Sequence, residues 1–243
     1  YTSPFDVLKN SSIPTINLLE ILGQTGFSGR FIYFSSSEVY AYGVASGITA
    51  VPTNEDALAV IGPYTNPRFS YAVGKAHGEY ACFAASIKYG VEFTILRIHN
   101  IYGPRMGFRH FIPDFISRIA SGSFELPGAY ETRSFFYIDD LCSIAESLAE
   151  RTSCIGELIN IGSDNEVSIL EVARMIMIKM EIDPENIEAK ESLDGSVQRR
   201  CPDISKLKTL VPDFAPTMLV QGIAETVAYY KSEVNRASEV DFR

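Results

Sequence analysis

One order of segments limits what this chain can fold into: an apolar strand, a long helix and a second apolar strand. Residues 30–35 (RFIYFS) are a short, mostly apolar run that is typical of a buried strand. Residues 70–89 read as a helix rich in Gly and Ala, and residues 91–98 return to a strand pattern. Because strands that alternate with helices build parallel sheets, the sequence predicts an α/β fold.

The rest of the chain continues this alternation. A helix is predicted over residues 4–22, with Pro14 marking a turn or kink, and a loop over residues 41–67. Ser168 and Glu171 form a capping box that opens another helix. The remaining predicted elements are a helix at 111–121, a strand at 134–138, a helix at 139–150, a strand at 157–161, a helix to 180 and a helix at 217–234.

The composition argues against two classes of partner. The 243 residues are 46% hydrophobic and 21% charged, which is ordinary for a globular protein. The net charge of −9 is unsuitable for nucleic acid or an anionic membrane, because both need a basic face. No apolar run approaches the ~20 residues of a membrane span. We therefore expect neither nucleic acid nor a membrane as a partner.

The cysteines and histidines bear on compartment and metal content. Cys82, Cys142, Cys154 and Cys201 are scattered and form no Cys-x-x-Cys pair, which is typical of reduced thiols in a cytoplasmic protein. The three histidines lack the spacing of metal ligands. The sequence thus predicts a cytoplasmic location and no metal site.

Tyr71 and Lys75 are the pair of residues that says most about chemistry. Four residues apart, they share one face of the predicted helix. A phenol with a pKa of about 10 is a poor base, but a nearby ammonium group lowers that pKa. Such a tyrosine can take a proton from an alcohol while hydride leaves the same carbon. The spacing alone also fits an ordinary amphipathic helix with a half-buried tyrosine.

A run of serines follows the first predicted strand and bears on the role of this pair. Residues 35–40 (SSSEVY) follow the first strand, and ligands bind at the carboxyl ends of strands in open α/β sheets. Four more segments follow in order: 96–106 (LRIHNIYGPRM), 131–140 (ETRSFFYIDD), 158–162 (LINIG) and 199–203 (RRCPD). On these six segments, the chain resembles extended short-chain dehydrogenases/reductases of the NAD-dependent epimerase/dehydratase family from about residue 4 to residue 230.

The resemblance implies a Rossmann-type doubly wound parallel sheet with a smaller C-terminal substrate-binding lobe. Residues 1–103 and 134–163 would form the NAD-binding part, and residues 104–133 and 164–243 the nucleotide-sugar-binding part. The first βαβ units and the glycine-rich phosphate loop are expected to lie outside this sequence. The glycines at 23, 26 and 29 do not replace that loop, because a helix precedes them and a strand follows.

The resemblance also implies an enzyme that holds NAD tightly and modifies a nucleotide-diphospho-sugar. Tyr71 would deprotonate the sugar's 4-hydroxyl, and Lys75 would keep the tyrosine pKa low and bind the nicotinamide ribose. Epimerisation or dehydration of a transient 4-keto sugar would follow. The alternatives are a decarboxylase or 4-dehydrogenase of the same family, or a non-catalytic dinucleotide-binding scaffold. A homodimer is expected, with residues 15–22 and 70–89 as the candidate interface helices.

Two further residues complete the predicted catalytic set. Ser36 would hydrogen-bond the sugar oxygen beside Tyr71, the alternative being a strand-end serine that satisfies loop backbone. Glu38 matches an acidic position of the dehydratases and decarboxylases in the family. It would act as acid or base at C5 once a 4-keto sugar forms, the alternative being a solvent-facing loop glutamate.

The predicted binding residues divide between cofactor and substrate. Ser35 and His99 join Tyr71 and Lys75 at the cofactor, with His99 in place of the family's aromatic residue beside the nicotinamide. The predicted substrate ligands are Ser37, Asn100 at the diphosphate, Phe111 and Leu126 at the base, and Arg133 and Arg200 at the phosphates. Guanidinium groups suit a diphosphate because they donate paired hydrogen bonds. The alternative for the two arginines is that they form surface ion pairs. The alternative for Phe111 and Leu126 is that they pack in the ordinary apolar core.

Overall fold

Helices and strands alternate along the residues that this computed structural model describes, 3–192 and 196–240. The first half contains α1 Pro4–Gln24, β1 Arg30–Ser36, α2 Ala41–Ala45, α3 Ser70–Tyr89, β2 Glu92–Ile98 and β3 Ile101–Tyr102. The second half contains α4 Phe111–Ala120, β4 Glu125–Pro127, β5 Thr132–Ser134, β6 Phe136–Tyr137, α5 Ile138–Glu150, β7 Leu158–Ile161, β8 Glu166–Ser168, α6 Ile169–Lys179, β9 Glu188–Lys190, β10 Arg199–Arg200, α7 Ser205–Leu210 and α8 Leu219–Val240.

A parallel sheet in the order β1-β2-β7 forms the centre of the fold. Apolar residues of α1 and α3 cover one face, and residues of α5 and α7 cover the other. The predicted doubly wound α/β arrangement is therefore confirmed. The register pairs Ser36 with Ile98, so β1 and β2 end side by side and place the serines beside Asn100.

The close packing of α3 against α1 and β1 depends on small residues. A Cβ on Gly74 would lie 2.6 Å from the Cβ of Ser11, and one on Gly78 would lie 2.0 Å from the hydroxyl oxygen of Tyr33. Neither approach is possible for a larger residue without movement of a neighbour. The helix α1 continues through Pro14, where the sequence predicts a turn or kink. Packing along α3 offsets the one backbone hydrogen bond that proline cannot donate.

A second group of elements lies beside this sheet. β5 pairs in parallel with β10 and antiparallel with β8, and α4, α6 and α8 enclose a separate apolar cluster. The register places Arg133 of β5 directly beside Arg200 of β10. The capping box of Ser168 and Glu171 is confirmed at the start of α6.

Local details differ from the sequence predictions. Residues 134–138 do not form one strand, because β5 ends and β6 follows before α5 begins at Ile138. The predicted loop 41–67 includes the short helix α2. Ile204 and Leu207, assigned by sequence to the smaller part, pack with Leu96 against the central sheet. The proposed division between the two parts of the chain stays a prediction.

None of the helices within the described ranges has both the length and the apolar character needed to cross a membrane.

Candidate active site

A cleft of about 860 Å³ opens where β1 and β2 end. The carboxyl ends of parallel strands are the usual ligand-binding edge of such sheets. The cleft is lined by Phe34, Ser35, Ser36, Ser37, Glu38, Arg68, Tyr71, Lys75, Ile98, Asn100, Ile101, His110 and Arg200. The structure therefore brings together most of the residues that the sequence predicts for catalysis and for the sugar.

Tyr71, Ser36 and Lys75 meet on one wall of this cleft. A side-chain hydrogen bond joins Ser36 to Tyr71. The Nζ of Lys75 lies 5.7 Å from the centre of the Tyr71 ring and donates to the backbone oxygen of Phe34 at 2.7 Å. Helical spacing and the strand end thus place a phenol, a hydroxyl and an ammonium group within one small volume.

The protonation of Tyr71 differs from the prediction. Burial raises the pKa of Tyr71, the hydrogen bond with Ser36 opposes this, and the carboxylate of Glu38 raises it further. Burial also lowers the pKa of Lys75, against the opposing influence of Glu79. The predicted lowering of the tyrosine pKa by Lys75 is therefore not met here. The ammonium donates to a backbone carbonyl, and burial of the phenol disfavours its charged form.

Glu38 and Arg200 contact each other in an ion pair at the cleft wall. Ser36 begins the short turn that carries Glu38, since its hydroxyl oxygen accepts from the Glu38 backbone N–H at 3.2 Å. The Nε of Arg200 is a buried donor without a hydrogen-bond partner among the described residues. The guanidinium can therefore hold Glu38 and still donate to an anion. The predicted acid/base and one predicted phosphate ligand thus form a single unit.

A second cavity of about 270 Å³ adjoins the cleft at Asn100. It is lined by Phe111, Pro127 and Arg133 among others. Asn100 has a left-handed backbone, with φ of 41°, and its buried Nδ2 has no partner within the described ranges. Burial and nearby Arg200 lower the pKa of Arg133 to about 10 despite the opposing charge of Glu131. Two joined cavities with donors at their junction suit a ligand with a sugar half and a nucleotide half.

Two predicted contacts receive no support from the structure. The ring of His99 is buried behind the cleft, where its Nε2 lies 3.2 Å from Oδ1 of Asn160. Leu126 is fully buried in the apolar cluster that α4, α6 and α8 enclose. Both residues follow the two-residue alternation of extended chain, so their neighbours Ile98 and Pro127 line the cavities instead. The positions of His99 and Leu126 give no support to cofactor or base contact.

A buried polar network behind the cleft was not predicted. The carboxylate of Glu79 accepts from Arg97 at 2.6 and 2.8 Å and from the hydroxyl of Ser35 at 2.5 Å. Glu79 lies four residues beyond Lys75, so helical spacing is the signal that could have found it. Through Ser35 the network holds α3 against the strand end that carries Ser36.

The cleft fits the nicotinamide end of a dinucleotide better than its diphosphate. Tyr71, Lys75 and the serines supply hydroxyl and ammonium groups of the kind that bind a ribose. Gly23 lies in the last turn of α1, and Gly26 and Gly29 lie between α1 and β1, the reverse of the order that phosphate binding needs. For metals, no group of three or more His, Cys, Asp or Glu side chains in the described part of the chain could hold an ion.

The buried ring of His99 predicts a pH dependence of stability. Burial lowers the pKa of His99 from 6.5 to about 4. Between these values the unfolded chain binds a proton that the folded chain does not, so the free energy of unfolding falls as the pH falls through this window. The ring contributes at most about 1.4 kcal/mol per pH unit to this slope. We expect the free energy of unfolding, measured with urea between pH 7 and pH 4, to fall less steeply with falling pH in His99→Phe than in the unmodified protein.

The matched control for this prediction is His110→Phe, which changes an exposed histidine of the cleft rim. The free energy of unfolding of this variant should change with pH as it does in the unmodified protein. Parallel slopes for His99→Phe and the unmodified protein would contradict the prediction.

Comparison with known proteins identifies a family and several relatives of this chain. A model described as the NAD dependent epimerase/dehydratase family matches residues 1–162. UDP-glucuronic acid decarboxylase 1 of Danio rerio is 32% identical over 239 residues, which cover 96% of this chain and 54% of the relative. UDP-N-acetyl-alpha-D-glucosaminuronate decarboxylase of Bacillus cytotoxicus is 30% identical over a region that covers 85% of this chain and 65% of the relative. The chain thus spans between about half and two thirds of these relatives.

Solved structures agree with the sequence comparison. UDP-glucuronic acid 4-epimerase from Bacillus cereus, in complex with UDP-glucuronic acid and NAD, has a TM-score of 0.77 at 26% identity, over 92% of this chain and 68% of that one. UDP-glucose 4-epimerase from Thermotoga maritima has a TM-score of 0.80 at 24% identity, over 96% of this chain and 73% of that one. The second likeness shows the fold alone.

Proposed function

This chain belongs to the NAD dependent epimerase/dehydratase family, and we propose that it oxidises C4 of a nucleotide-diphospho-sugar in the course of an epimerisation or dehydration. The observation that carries the proposal is the meeting of Tyr71, Ser36 and Lys75 at the ligand-binding edge of a parallel sheet. A binding scaffold would have no use for a phenol, a hydroxyl and an ammonium group in this arrangement.

Each of these residues of the cleft has its own role in the first step of the reaction. Ser36 holds the sugar's 4-hydroxyl beside Tyr71, and Tyr71 takes its proton. Lys75 contributes positive charge and donors for a ribose at the same wall. When bound, NAD⁺ would supply the acceptor for the hydride from C4. Because burial raises the pKa of Tyr71, the phenol needs additional positive charge near its oxygen to act as a base at neutral pH.

The fate of the 4-keto sugar depends on Glu38 and on the substrate. A ketone at C4 acidifies the proton on C5, and Glu38 is the carboxylate that lines the cleft. In a dehydration Glu38 would take that proton as the C6 hydroxyl leaves as water, while Arg200 holds the carboxylate in place. A decarboxylation is the second candidate, favoured by the relatives from Danio rerio and Bacillus cytotoxicus. In that case C6 leaves as carbon dioxide.

The test is to incubate the protein and NAD⁺ with UDP-, GDP-, dTDP- and CDP-linked sugars and to follow product mass and stereochemistry. Loss of water identifies a dehydratase, and loss of carbon dioxide a decarboxylase. An unchanged mass with an inverted centre identifies an epimerase. Accumulation of a keto sugar with NADH identifies a 4-dehydrogenase. Failure to convert any sugar would overturn the proposal in favour of a binding scaffold.

The same family resemblance leads us to propose a homodimer formed through α1 and α3. These helices border an apolar groove of about 390 Å³ lined by Ile16, Tyr80, Ala84 and Tyr89 among others. Tyr80 leaves 76% of its surface exposed, which is unusual for a large aromatic side chain beside other apolar groups. Packing of two helices from each subunit would cover this groove.

Replacing Tyr80 with glutamate is expected to weaken the dimer by at least about tenfold, because a charge would be buried at the interface. Sedimentation equilibrium measures the dissociation constant. The matched control is Ile178→Glu on α6, where the isoleucine is 60% exposed and the dimer should persist. A monomeric unmodified protein, or equal dissociation constants for all three proteins, would refute the interface.

We also propose a cytoplasmic location, which the four free cysteines support. Assay of the activity in separated cell fractions tests this, and activity confined to a secreted fraction would contradict it.

A further inference from the structure

A small cavity of about 20 Å³ lies beside the cleft and is lined by Ser37, Tyr40, His99 and Arg200 among others. Ser37 and Arg200 line the cleft as well. Two buried nitrogen atoms of this lining have no hydrogen-bond partner among the described residues, namely Nδ1 of His99 and Nε of Arg200. Because a buried polar group without a partner costs free energy, these two atoms point to a missing partner.

The hydrogen bonds of Asn160 decide which nitrogen of the His99 ring carries the proton. The Nδ2 of Asn160 donates to the backbone oxygens of Thr53 at 3.0 Å and of Asp203 at 3.2 Å, so the other amide atom is the acceptor oxygen. That oxygen lies 3.2 Å from Nε2 of His99, which must therefore carry the hydrogen. Burial lowers the pKa of His99 to about 4 despite the hydrogen bond with Asn160, so the ring is neutral at pH 7 and Nδ1 is an acceptor.

The two unpartnered atoms are complementary. The Nε of Arg200 is a donor, because a guanidinium stays protonated, and Nδ1 of His99 is an acceptor. One water can accept from the first and donate to the second. The cavity that both residues line measures about 20 Å³, which exceeds the roughly 10–15 Å³ that one water requires. Ser37 adds a hydroxyl to the same lining, and an internal water commonly makes about three hydrogen bonds.

We propose that this cavity binds one internal water that joins His99 to Arg200, which makes His99 a positioning residue for the guanidinium. Arg200 also pairs with Glu38 at the cleft wall. A guanidinium has five N–H groups, so a water at Nε leaves the terminal groups for Glu38 and for a ligand in the cleft. The functional part of the inference rests on the proposed function, because it takes the phosphates of a sugar nucleotide as that ligand.

Two measurements on the unmodified protein test the site itself. A crystal structure at high resolution should show one water within hydrogen-bond distance of Nδ1 of His99 and Nε of Arg200. Nitrogen-15 NMR of the His99 ring at pH 7 should place the proton on Nε2. A cavity without water density, a direct contact between the two nitrogens, or a proton on Nδ1 would overturn the inference.

Two amide substitutions at His99 separate positioning from packing. In His99→Asn the shorter amide reaches the place of Nδ1 and keeps an acceptor for the water, but it loses the contact with Asn160. In His99→Gln the longer amide reaches the place of Nε2 and keeps that contact, but it loses the acceptor. UDP binding in a calorimeter should weaken by roughly 2- to 12-fold in His99→Gln, the value of one hydrogen bond, and by less in His99→Asn. Equal affinities, or a larger loss in His99→Asn, would reduce His99 to a packing role.

Arg200→Lys is the matched control, because it keeps the positive charge and removes the Nε donor. It should weaken UDP binding by itself, and His99→Gln should then cause no further loss in the Arg200→Lys background. Additive losses would overturn the positioning role, since they would mean that His99 acts independently of Arg200. Unchanged UDP binding in Arg200→Lys would overturn the placement of phosphates at Arg200 and with it the functional part, while the crystal structure and the NMR still decide the water site.

Discussion

Replacing Tyr71 with phenylalanine is expected to lower kcat on a nucleotide-diphospho-sugar by roughly 10²- to 10⁴-fold, the usual contribution of one positioned acid–base group. The change removes a single oxygen and keeps the ring in place. That oxygen is hydrogen-bonded to Ser36 at the carboxyl end of β1, where the sugar's hydroxyl must lie. Substrate binding should change far less than turnover, because most contacts of the ligand involve other residues.

The measurement is single-turnover reduction of NAD⁺ alongside equilibrium binding of the sugar nucleotide. Tyr64→Phe is the matched control, since Tyr64 is 97% exposed and the same oxygen is removed from a residue that does not line the cleft. Its rate should equal that of the unmodified protein. An unchanged rate in Tyr71→Phe would remove Tyr71 from the mechanism.

Replacing Glu79 with glutamine is expected to cost about 3–5 kcal/mol of the free energy of unfolding, because it leaves the charge of Arg97 buried without a counter-ion. Both side chains are only 7% exposed. Two short hydrogen bonds join them, and Oε1 of Glu79 also accepts from the hydroxyl of Ser35. The loss should therefore also loosen the strand end that carries the catalytic serine.

Urea unfolding at neutral pH measures this cost. Glu125→Gln is the matched control: Glu125 pairs with Lys190 at the surface, where both side chains are about half exposed. Breaking that pair should cost at most about 1 kcal/mol. The double change Glu79→Leu with Arg97→Met removes both buried charges and should recover part of the stability. A cost for Glu79→Gln no larger than that for Glu125→Gln would contradict the role of the network.

The sequence by itself determined the features that depend on neighbouring residues. The alternation of apolar strands with helices predicted the parallel sheet, because side-chain periods of 2.0 and 3.6 residues are local properties of the chain. The same periodicity placed Tyr71 and Lys75 on one helix face. The position of residues 35–37 at the end of a buried strand was enough to place the serines at the ligand-binding edge.

Only the tertiary structure decided which distant side chains meet and in which state of charge. Glu38 and Arg200 are paired across 162 positions of the chain, and Arg133 lies beside Arg200 because of the register between β5 and β10. No local pattern encodes a register between strands so far apart in sequence. The spacing of Tyr71 and Lys75 suggested a lowered tyrosine pKa, whereas the fold raised it. Burial is a property of the packed molecule, and at this site it is the largest influence on the pKa of Tyr71.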